Sequence, residues 1–390
     1  MKILILLSND LIREQRISKE VETMELMGHQ VVILQLPSRD SIDSKHEGEY
    51  KIRSVQLWTR NLPANLLFWP IKFIEMSIRF IVEGSIIKPD IVHCIDRLPL
   101  LSSFLIAQNL RIPFIYDTQE IHSGVESGAN KPKWFWLWLE RYIAQRALRV
   151  LVTDHFRLEL TTEILGLDKS RIYSFMSLPK VPGPTLPKRN IRNECQWQNK
   201  RIAIYAGAIC PNRHIEDIIG SLEFLPSDYC VVLVGFVEEN YKISLQLLAK
   251  SLGIENRLAI LPPVRWSELP HYISSADCAF AFYEKNSLNN YYCSPSKLFD
   301  ALMAGLPVIS SDNPLVIEVI LENDAGICIK QVNPITIAEA VKEILTREDF
   351  LEMKARIAVL AREKYNWDIQ AQEYIRFYRE IETEVSGSKT

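Results

Sequence analysis

Ser294-Pro295-Ser296-Lys297-Leu298-Phe299-Asp300-Ala301-Leu302-Met303-Ala304-Gly305, followed by Leu306-Pro307-Val308-Ile309-Ser310-Ser311-Asp312, reads as loop, helix, turn and strand. Ser294 suits an N-cap and Pro295 the first helical position, where no intrahelical N–H bond is lost. Leu298, Phe299 and Leu302 recur at helical spacing and give one apolar face. Gly305 supplies the left-handed residue that ends the helix, and Pro307 discourages its continuation. Val308 and Ile309 then open a buried strand. The helix start carries Ser294, Ser296 and Lys297, so free N–H groups, hydroxyls and the positive end of the dipole converge on an anion. Asp300, at the end of the first turn, lies near enough to touch whatever that anion is attached to. A nucleoside diphosphate fits. An ordinary capped helix with a solvated lysine is the plainer alternative, and this stretch alone does not choose.

The rest of the chain narrows the choice. At 390 residues it is too long for one ordinary core and suits two domains. Hydrophobic residues at 47% with 24% charged are the composition of a soluble globular protein. A formal net charge of −3 gives no basic field for nucleic acid. Cys94, Cys195, Cys210, Cys230, Cys278, Cys293 and Cys328 are scattered, with no C-x-x-C pair. They read as reduced thiols of a cytosolic protein, not a zinc site or a disulfide frame. The opening run Met1-Lys-Ile-Leu-Ile-Leu-Leu7 is too short for a signal peptide and ends at Asn9-Asp10; it reads as a buried strand.

Strand-like and helix-like segments alternate nearly throughout, which implies doubly wound parallel sheets. Strands are expected at 2–7, 31–36, 51–58, 90–94, 113–117, 150–153 and 171–175. Helices are expected at 13–27, 64–84, 98–110, 134–147 and 157–165, with Pro70 kinking the second or starting another. Residues 38–50 read as a loop and 118–131 as a polar segment. Alternation stops over Leu178–Lys200, which holds Pro179, Pro182, Pro184 and Pro187. It resumes with strands at 201–207, 230–234, 257–261, 277–282, 308–310 and 326–329. The expected organisation is an α/β chain of two Rossmann-like domains: 1–178, a linker at 179–199, 200–366, and a last helix at 367–385, with the tail from Glu382 frayed. Ligands of such sheets sit beyond the carboxyl ends of the strands, and a two-domain version places them in the cleft between.

Neither G-x-G-x-x-G nor G-x-x-x-x-G-K-[ST] occurs, which argues against a nicotinamide or flavin enzyme and a P-loop nucleotidase. Phosphate binding therefore falls to helix N-termini and side chains. Besides the helix at Pro295, the turn Gly207-Ala-Ile-Cys-Pro-Asn-Arg213 ends a strand, and Arg213 is able to hold a diphosphate bidentately. Asp117-Thr-Gln-Glu120-Ile-His122 follows another strand, and two carboxylates with a histidine there suit hydroxyl groups. His93 and Asp96 follow the strand before it; a satisfied core histidine is the plainer reading of His93. No carboxylate or histidine spacing spells a metal site. Trp134, Phe135, Trp136 and Trp138, with Lys131, Lys133, Arg141, Arg146 and Arg149, form a basic aromatic segment. It suits an anionic membrane surface or, more plainly, a helix with one buried aromatic face.

Together these residues resemble the GT-B glycosyltransferases, and among them the retaining family four, or group 1, type. The resemblance runs nearly end to end. It is carried by Gln15-Arg16-Ile17 through Gly28-His29-Gln30-Val31, by Asp90-Ile-Val-His93-Cys-Ile-Asp96, and by Tyr116-Asp117-Thr-Gln-Glu120. It continues through Tyr205-Ala-Gly207 to Arg213, Leu261-Pro-Pro-Val264, and Ser296-Lys297-Leu-Phe-Asp300 through Ala304-Gly305-Leu-Pro-Val308, ending at Trp367 and the last helix. It implies two domains facing a central cleft, with the last helix crossing back to the first. It implies that Arg213 and Lys297 act on the donor diphosphate, and that Gly207, Val264, Ser294, Ser296, Leu298 and Asp300 line the donor site, Asp300 on the ribose. His93, Asp96, Asp117 and Glu120 would face the acceptor. Transfer would need neither metal nor cofactor, since cations stabilise the leaving group and domain closure excludes water.

The chain departs from the family at three places. Tyr292 stands where an acidic residue is frequent, Gln119 where histidine is, and Ala208 where arginine is. The expectation is an enzyme that is cytoplasmic or peripheral at the inner face of the cell membrane. It would move a hexose-type sugar from a nucleoside diphosphate sugar to a glycan or lipid-linked acceptor in surface polysaccharide or glycolipid synthesis. A sugar-nucleotide 2-epimerase of the same fold and a non-catalytic donor-binding or partner-binding subunit are the alternatives.

Overall fold

The structure is a computed structural model that describes residues 1–11, 14–37, 51–63, 68–121, 133–183, 190–266 and 268–387. The chain divides into two compact units: Met1–Met176 with Gln370–Thr390, and Ser177–Ile369.

The first unit holds β1 (Lys2–Leu7), α1 (Gln15–Leu26), β2 (Gln30–Gln35), β3 (Lys51–Ser54), α2 (Trp69–Ile87), β4 (Ile91–Ile95), α3 (Leu100–Leu110), β5 (Phe114–Asp117), α4 (Lys133–Ala144), β6 (Arg149–Val152), α5 (His155–Leu165) and β7 (Ile172–Ser174). The strands pair in parallel in the order β3-β2-β1-β4-β5-β6-β7. Ile3 to Leu7 are all buried, as a strand covered on both faces requires. Met76 and Phe80 of α2, Ile106 of α3 and Ile143 of α4 pack on Leu4, Leu6, Val92 and Tyr116, one face of that sheet.

The second unit holds α6 (Ile191–Cys195), β8 (Arg201–Ala206), α7 (Ile215–Gly220), β9 (Tyr229–Val234), α8 (Glu239–Ser251), β10 (Leu258–Leu261), α9 (Leu269–Ile273), β11 (Cys278–Ala281), α10 (Leu288–Tyr291), α11 (Ser296–Met303), β12 (Val308–Ser311), α12 (Pro314–Leu321), β13 (Gly326–Ile329), α13 (Pro334–Leu345) and α14 (Phe350–Glu363). Its six parallel strands run β10-β9-β8-β11-β12-β13. The final helix α15 (Trp367–Gly387) starts in this unit, and from Gln370 onward it belongs to the first.

Several elements differ from the sequence expectation, each for a local reason. Of the two expectations for Pro70 the second holds: it stands in the first turn of α2, where its missing N–H costs nothing. The strand expected at 51–58 stops at Ser54, and a 3-10 turn follows at Trp58–Asn61 because Glu75 accepts the N–H groups of Trp58 and Thr59, at 2.7 and 2.8 Å. The proline-rich stretch is not free along its whole length. Asn190 caps α6, Ile191 is buried, and the Arg192 guanidinium grips both oxygens of Asp277 at 3.0 and 2.9 Å. The expected frayed tail is helical to Gly387, with Val385 buried and Glu384 paired to Arg149. Residues 38–50, His122 and Lys131 lie outside the described residues.

Candidate functional site

In the second unit the strand order reverses between β8 and β11, the switch point at which open α/β sheets take ligands. The turns that leave these two strands carry the expected site residues. Gly207 follows β8 at φ +147, a backbone that suits glycine. Its neighbour just past β9, Gly235, has φ +153, and a Cβ there would lie 1.8 Å from the Gly207 carbonyl oxygen. Two glycines thus let the turns after β8 and β9 close on each other and leave the space above Gly207 to side chains.

Lys297, from the first turn of α11, fills that space. Its Nζ donates to the Tyr205 hydroxyl at 2.8 Å and lies 4.4 Å from the Tyr205 ring centroid and 4.6 Å from that of Tyr283. The Arg213 guanidinium stacks 4.1 Å from the same Tyr283 ring. Two cations therefore share one aromatic ring, and no carboxylate among the described residues pairs with either. Burial, with the Arg213 charge beside it, pulls Lys297 down to about 7. Burial pushes the Tyr205 hydroxyl up, so it stays protonated and donates to the Ala208 carbonyl at 2.9 Å. Arg213 Nη1 and Ser294 Oγ are both buried without a hydrogen-bond partner. This is an anion site by chemistry: surplus positive charge, orphaned donors and a helix N-terminus, with aromatic walls.

Ser294 does not cap α11 as the sequence suggested. Pro295 holds the N-cap position and no side chain bonds the first turn, which leaves the Ser294 hydroxyl to the site. Ser296 opens the helix, Leu298 is buried beneath it, and Asp300 is buried one turn in. Val264 lies in the turn after β10, two strands from β8 at the sheet edge. Around Tyr292, Asn313 ties the loop down by donating to the Asn290 and Tyr291 carbonyls at 2.9 and 3.0 Å. Ser311, at the end of β12, accepts the Tyr283 N–H at 3.1 Å and so fixes the shared ring.

The first unit departs from expectation. His93 and Asp117 are fully buried, not surface groups open to an acceptor. His93 points to the sheet face opposite Val92, because strand side chains alternate. There Arg16 binds Asp117 at 2.6 Å and Glu20 at 2.6 Å. His93 Nδ1 meets the Tyr378 hydroxyl at 2.8 Å, and Tyr374 donates to Glu20 at 3.2 Å. Arg16 holds the Asp117 carboxyl below its usual range, whereas burial outweighs Arg16 at Glu20 and pushes it up. Glu20, His93 and Asp117 lie close enough together to suggest a metal centre, but the Arg16 guanidinium already supplies the cation.

Asp96 and Glu120 do lie at strand ends. Asp96 takes a left-handed backbone at φ 62 and accepts the Gln119 N–H at 3.1 Å; Glu120 is exposed. The switch point of this sheet, between β1 and β4, adds two residues that the sequence reading missed. Asn9 donates to Glu14 at 3.2 Å, and burial and then the Asp96 charge raise the Glu14 carboxyl. Next to it Asn9, Asp10, Leu36, Val55, Leu57 and Arg60 line a cavity of about 250 Å³.

Comparison with known proteins supplies the family. The description "Glycosyl transferases group 1" matches residues 187–364 and "Glycosyl transferase 4-like domain" residues 14–173. The chain belongs to the group 1 glycosyltransferases. An uncharacterized glycosyltransferase of Methanocaldococcus jannaschii is 23% identical over 381 residues, covering 92% of each chain. Among solved structures, Anabaena HepE in complex with UDP-glucose superposes with a TM-score of 0.73 at 14% identity, covering 97% of this chain and all of that one. Sucrose-phosphate synthase from Thermosynechococcus elongatus gives 0.74 at 15%, covering 98% and 100%. WaaG, a glycosyltransferase involved in lipopolysaccharide biosynthesis, gives 0.69 at 13%, covering 95% and 98%. These likenesses establish the GT-B fold.

For a group 1 glycosyltransferase, the residues missed by sequence reasoning are instructive. Tyr205 and Tyr283 carry no assigned role in the sequence reading, each being an aromatic residue at the end of an apolar run. The signal that would have found them is position: each stands at the carboxyl end of a strand bordering the switch point.

Proposed function

We propose that this group 1 glycosyltransferase moves a hexose-type sugar from a nucleoside diphosphate sugar to a hydroxyl of a glycan or lipid-linked acceptor, with retention at the anomeric carbon. The observation that carries the reading is the Arg213–Lys297 pair around Tyr283, two cations with no acid among the described residues to neutralise them. A donor diphosphate fits there, with the Ser294 and Ser296 hydroxyls and the first N–H groups of α11 as further donors. Asp300 would take the ribose, and Val264 would lie on the side of the base. As the glycosidic C–O bond breaks, negative charge grows on the leaving diphosphate; Arg213, Lys297 and the helix dipole stabilise it. Two protein cations perform the role that a metal takes elsewhere, so the reading calls for no metal or cofactor. UDP-glucose in the HepE structure supports a uridine or related nucleotide donor.

On the acceptor side, Asp96 and Glu120 with Asn9 and Glu14 replace the buried His93 and Asp117 as the groups that would meet a hydroxyl. The setting is cytoplasmic, at the inner membrane face, in surface polysaccharide or glycolipid synthesis.

The test is a product assay with labelled nucleotide sugars and lipid-linked or glycan acceptors, with a chelator present. Arg213→Ala and Lys297→Ala are each expected to weaken nucleoside diphosphate binding by about tenfold or more, the loss of one charge-assisted contact. They should lower turnover further. Unchanged nucleotide affinity in both variants would remove the phosphate clamp, and an epimerised nucleotide sugar formed without acceptor would overturn transfer.

A further inference from the structure

The outward face of α2 is the most unusual surface of the first unit. Beyond Pro70 in its first turn, its exposed positions are Ile71, Ile74, Ile78, Val82 and Ile86, each 50 to 63% exposed. At about 100° per residue they span an arc of roughly 120° along roughly 22 Å of helix. The inward face, with Met76, Phe80 and Ile87, is buried in the core. A helix that met only water would carry polar residues outward; this one is aliphatic on both sides.

The apolar surface continues onto neighbouring helices. Leu105 of α3 is exposed, and α4 exposes Trp134, Phe135, Trp138 and Tyr142. Their rings run as a ladder, Trp134–Phe135 at 6.1 Å, Phe135–Trp138 at 6.0 Å and Trp138–Tyr142 at 5.7 Å. Trp69 and Phe73 of α2 hold Trp136 edge-on at 5.2 and 5.4 Å, so α2 and α4 form one surface.

Its charge is one-sided. None of the exposed residues of α2, α3 or α4 is acidic. Glu75 and Glu83 are paired with Arg79 and Arg53, and Glu140 is buried against Tyr116. The exposed charges on these helices and just beyond their ends are Lys88, Arg111, Arg141 and Arg146. In a chain of net charge −3 this is a local arrangement, not a consequence of composition.

We infer that α2, with the aromatic face of α4, rests on an anionic phospholipid surface, α2 lying in the plane of the interface. Aliphatic side chains enter the acyl boundary, tryptophan and tyrosine rings sit at headgroup level, and arginines meet the lipid phosphates. A second copy of the chain is a poorer occupant, because a two-fold contact would bring no acid to those cations. No described helix is long and apolar enough to cross a membrane, so this surface would hold the protein by lying on it. The inference deepens the lipid-linked acceptor reading above, but its test needs neither donor nor turnover.

The experiment is co-sedimentation of the whole protein with phosphatidylcholine vesicles, with and without phosphatidylglycerol. Binding is expected to the anionic vesicles, and to weaken in high salt. The triple variant Ile74→Ser, Ile78→Ser, Val82→Ser should lower the partition coefficient at least about tenfold, since three aliphatic chains lose their apolar contact. Arg141→Gln with Arg146→Gln should flatten the salt dependence. All five side chains are at the surface, and circular dichroism melting checks that each variant is folded. Equal partitioning of wild type and triple variant, or no binding by the wild type, overturns the inference. So does a dimer in sedimentation velocity that the triple variant dissolves, which would make this face a contact between copies. Vesicle binding without sugar transfer would instead count against the proposed reaction alone.

Discussion

Lys297 is the residue on which the proposed donor site turns, because its charge is conditional. With burial and Arg213 holding it down to about 7, the empty site carries its full positive charge only below that pH. A bound diphosphate reverses the balance by supplying two or more negative charges at contact, so the bound lysine is protonated. Binding above pH 7 therefore takes up a proton, and affinity falls as pH rises from 7 towards 9. Calorimetric titration with a nucleoside diphosphate at pH 8, in two buffers of different ionisation enthalpy, should show that uptake. Lys297→Arg should abolish it, because a guanidinium stays charged. Buffer-independent heats for the wild type would show that Lys297 does not titrate on binding. Lys297, Arg213 and Gly207 were legible in the sequence because charge and glycine at strand ends are conspicuous there. Tyr205 and Tyr283 were not, because an aromatic residue closing an apolar run looks the same whether it packs inward or walls a site.

The turns after β8 and β9 show how an element's geometry rests on an absent side chain. A Cβ at Gly235 would collide with the Gly207 carbonyl at 1.8 Å and would have to adopt a φ of +153. Gly235→Ala should cost about 2 kcal/mol or more in urea unfolding and should displace the turn that carries Gly207. Stability within about 0.5 kcal/mol of wild type would mean that the two turns have room to separate. Alternation of strand and helix placed nearly every element from sequence, because parallel strands buried on both faces leave unmistakable apolar runs. What periodicity missed on α2 was its outer face. Leu, Ile and Phe at helical spacing reveal which side packs inward and are silent about aliphatic residues on the other side. Likewise α6 was hidden in a proline-rich stretch, since a five-residue helix held by Arg192 on Asp277 depends on a partner 85 residues away.

At the scale of the molecule, α15 carries the chain from one unit into the other and closes a charge network there. Gln370 exchanges hydrogen bonds with the Met176 backbone at 2.8 and 2.6 Å, and Tyr374 and Tyr378 cap Glu20 and His93. Removing one partner from a buried charged pair leaves the other uncompensated. Asp117→Asn should therefore cost about 3–5 kcal/mol, and Tyr378→Phe about 1–2 kcal/mol, read from urea unfolding of the first unit. Little change in Asp117→Asn would mean that solvent, not Arg16, satisfies that carboxylate, and little change in Tyr378→Phe that α15 does not secure His93. The sequence suggested His93 and Asp117 as acceptor contacts because strand-end polar residues in such sheets usually face ligand. That Arg16, 101 positions from Asp117, would claim its carboxylate is a tertiary fact that no local pattern records.

The same helix sets an order of events on the ribosome. The first unit is interrupted by the whole of Ser177–Ile369, and its last piece is made only after that insertion. At roughly 5–20 residues per second, about 10 to 40 seconds separate synthesis of Met176 from that of Gln370. Throughout that interval Arg16, Glu20, His93 and Asp117 lack the tyrosines that cover them, while the second unit is being made from its first residue to its last. The unit begun first is thus the unit finished last, and the nascent chain depends on that wait ending before the uncovered sheet face finds another partner.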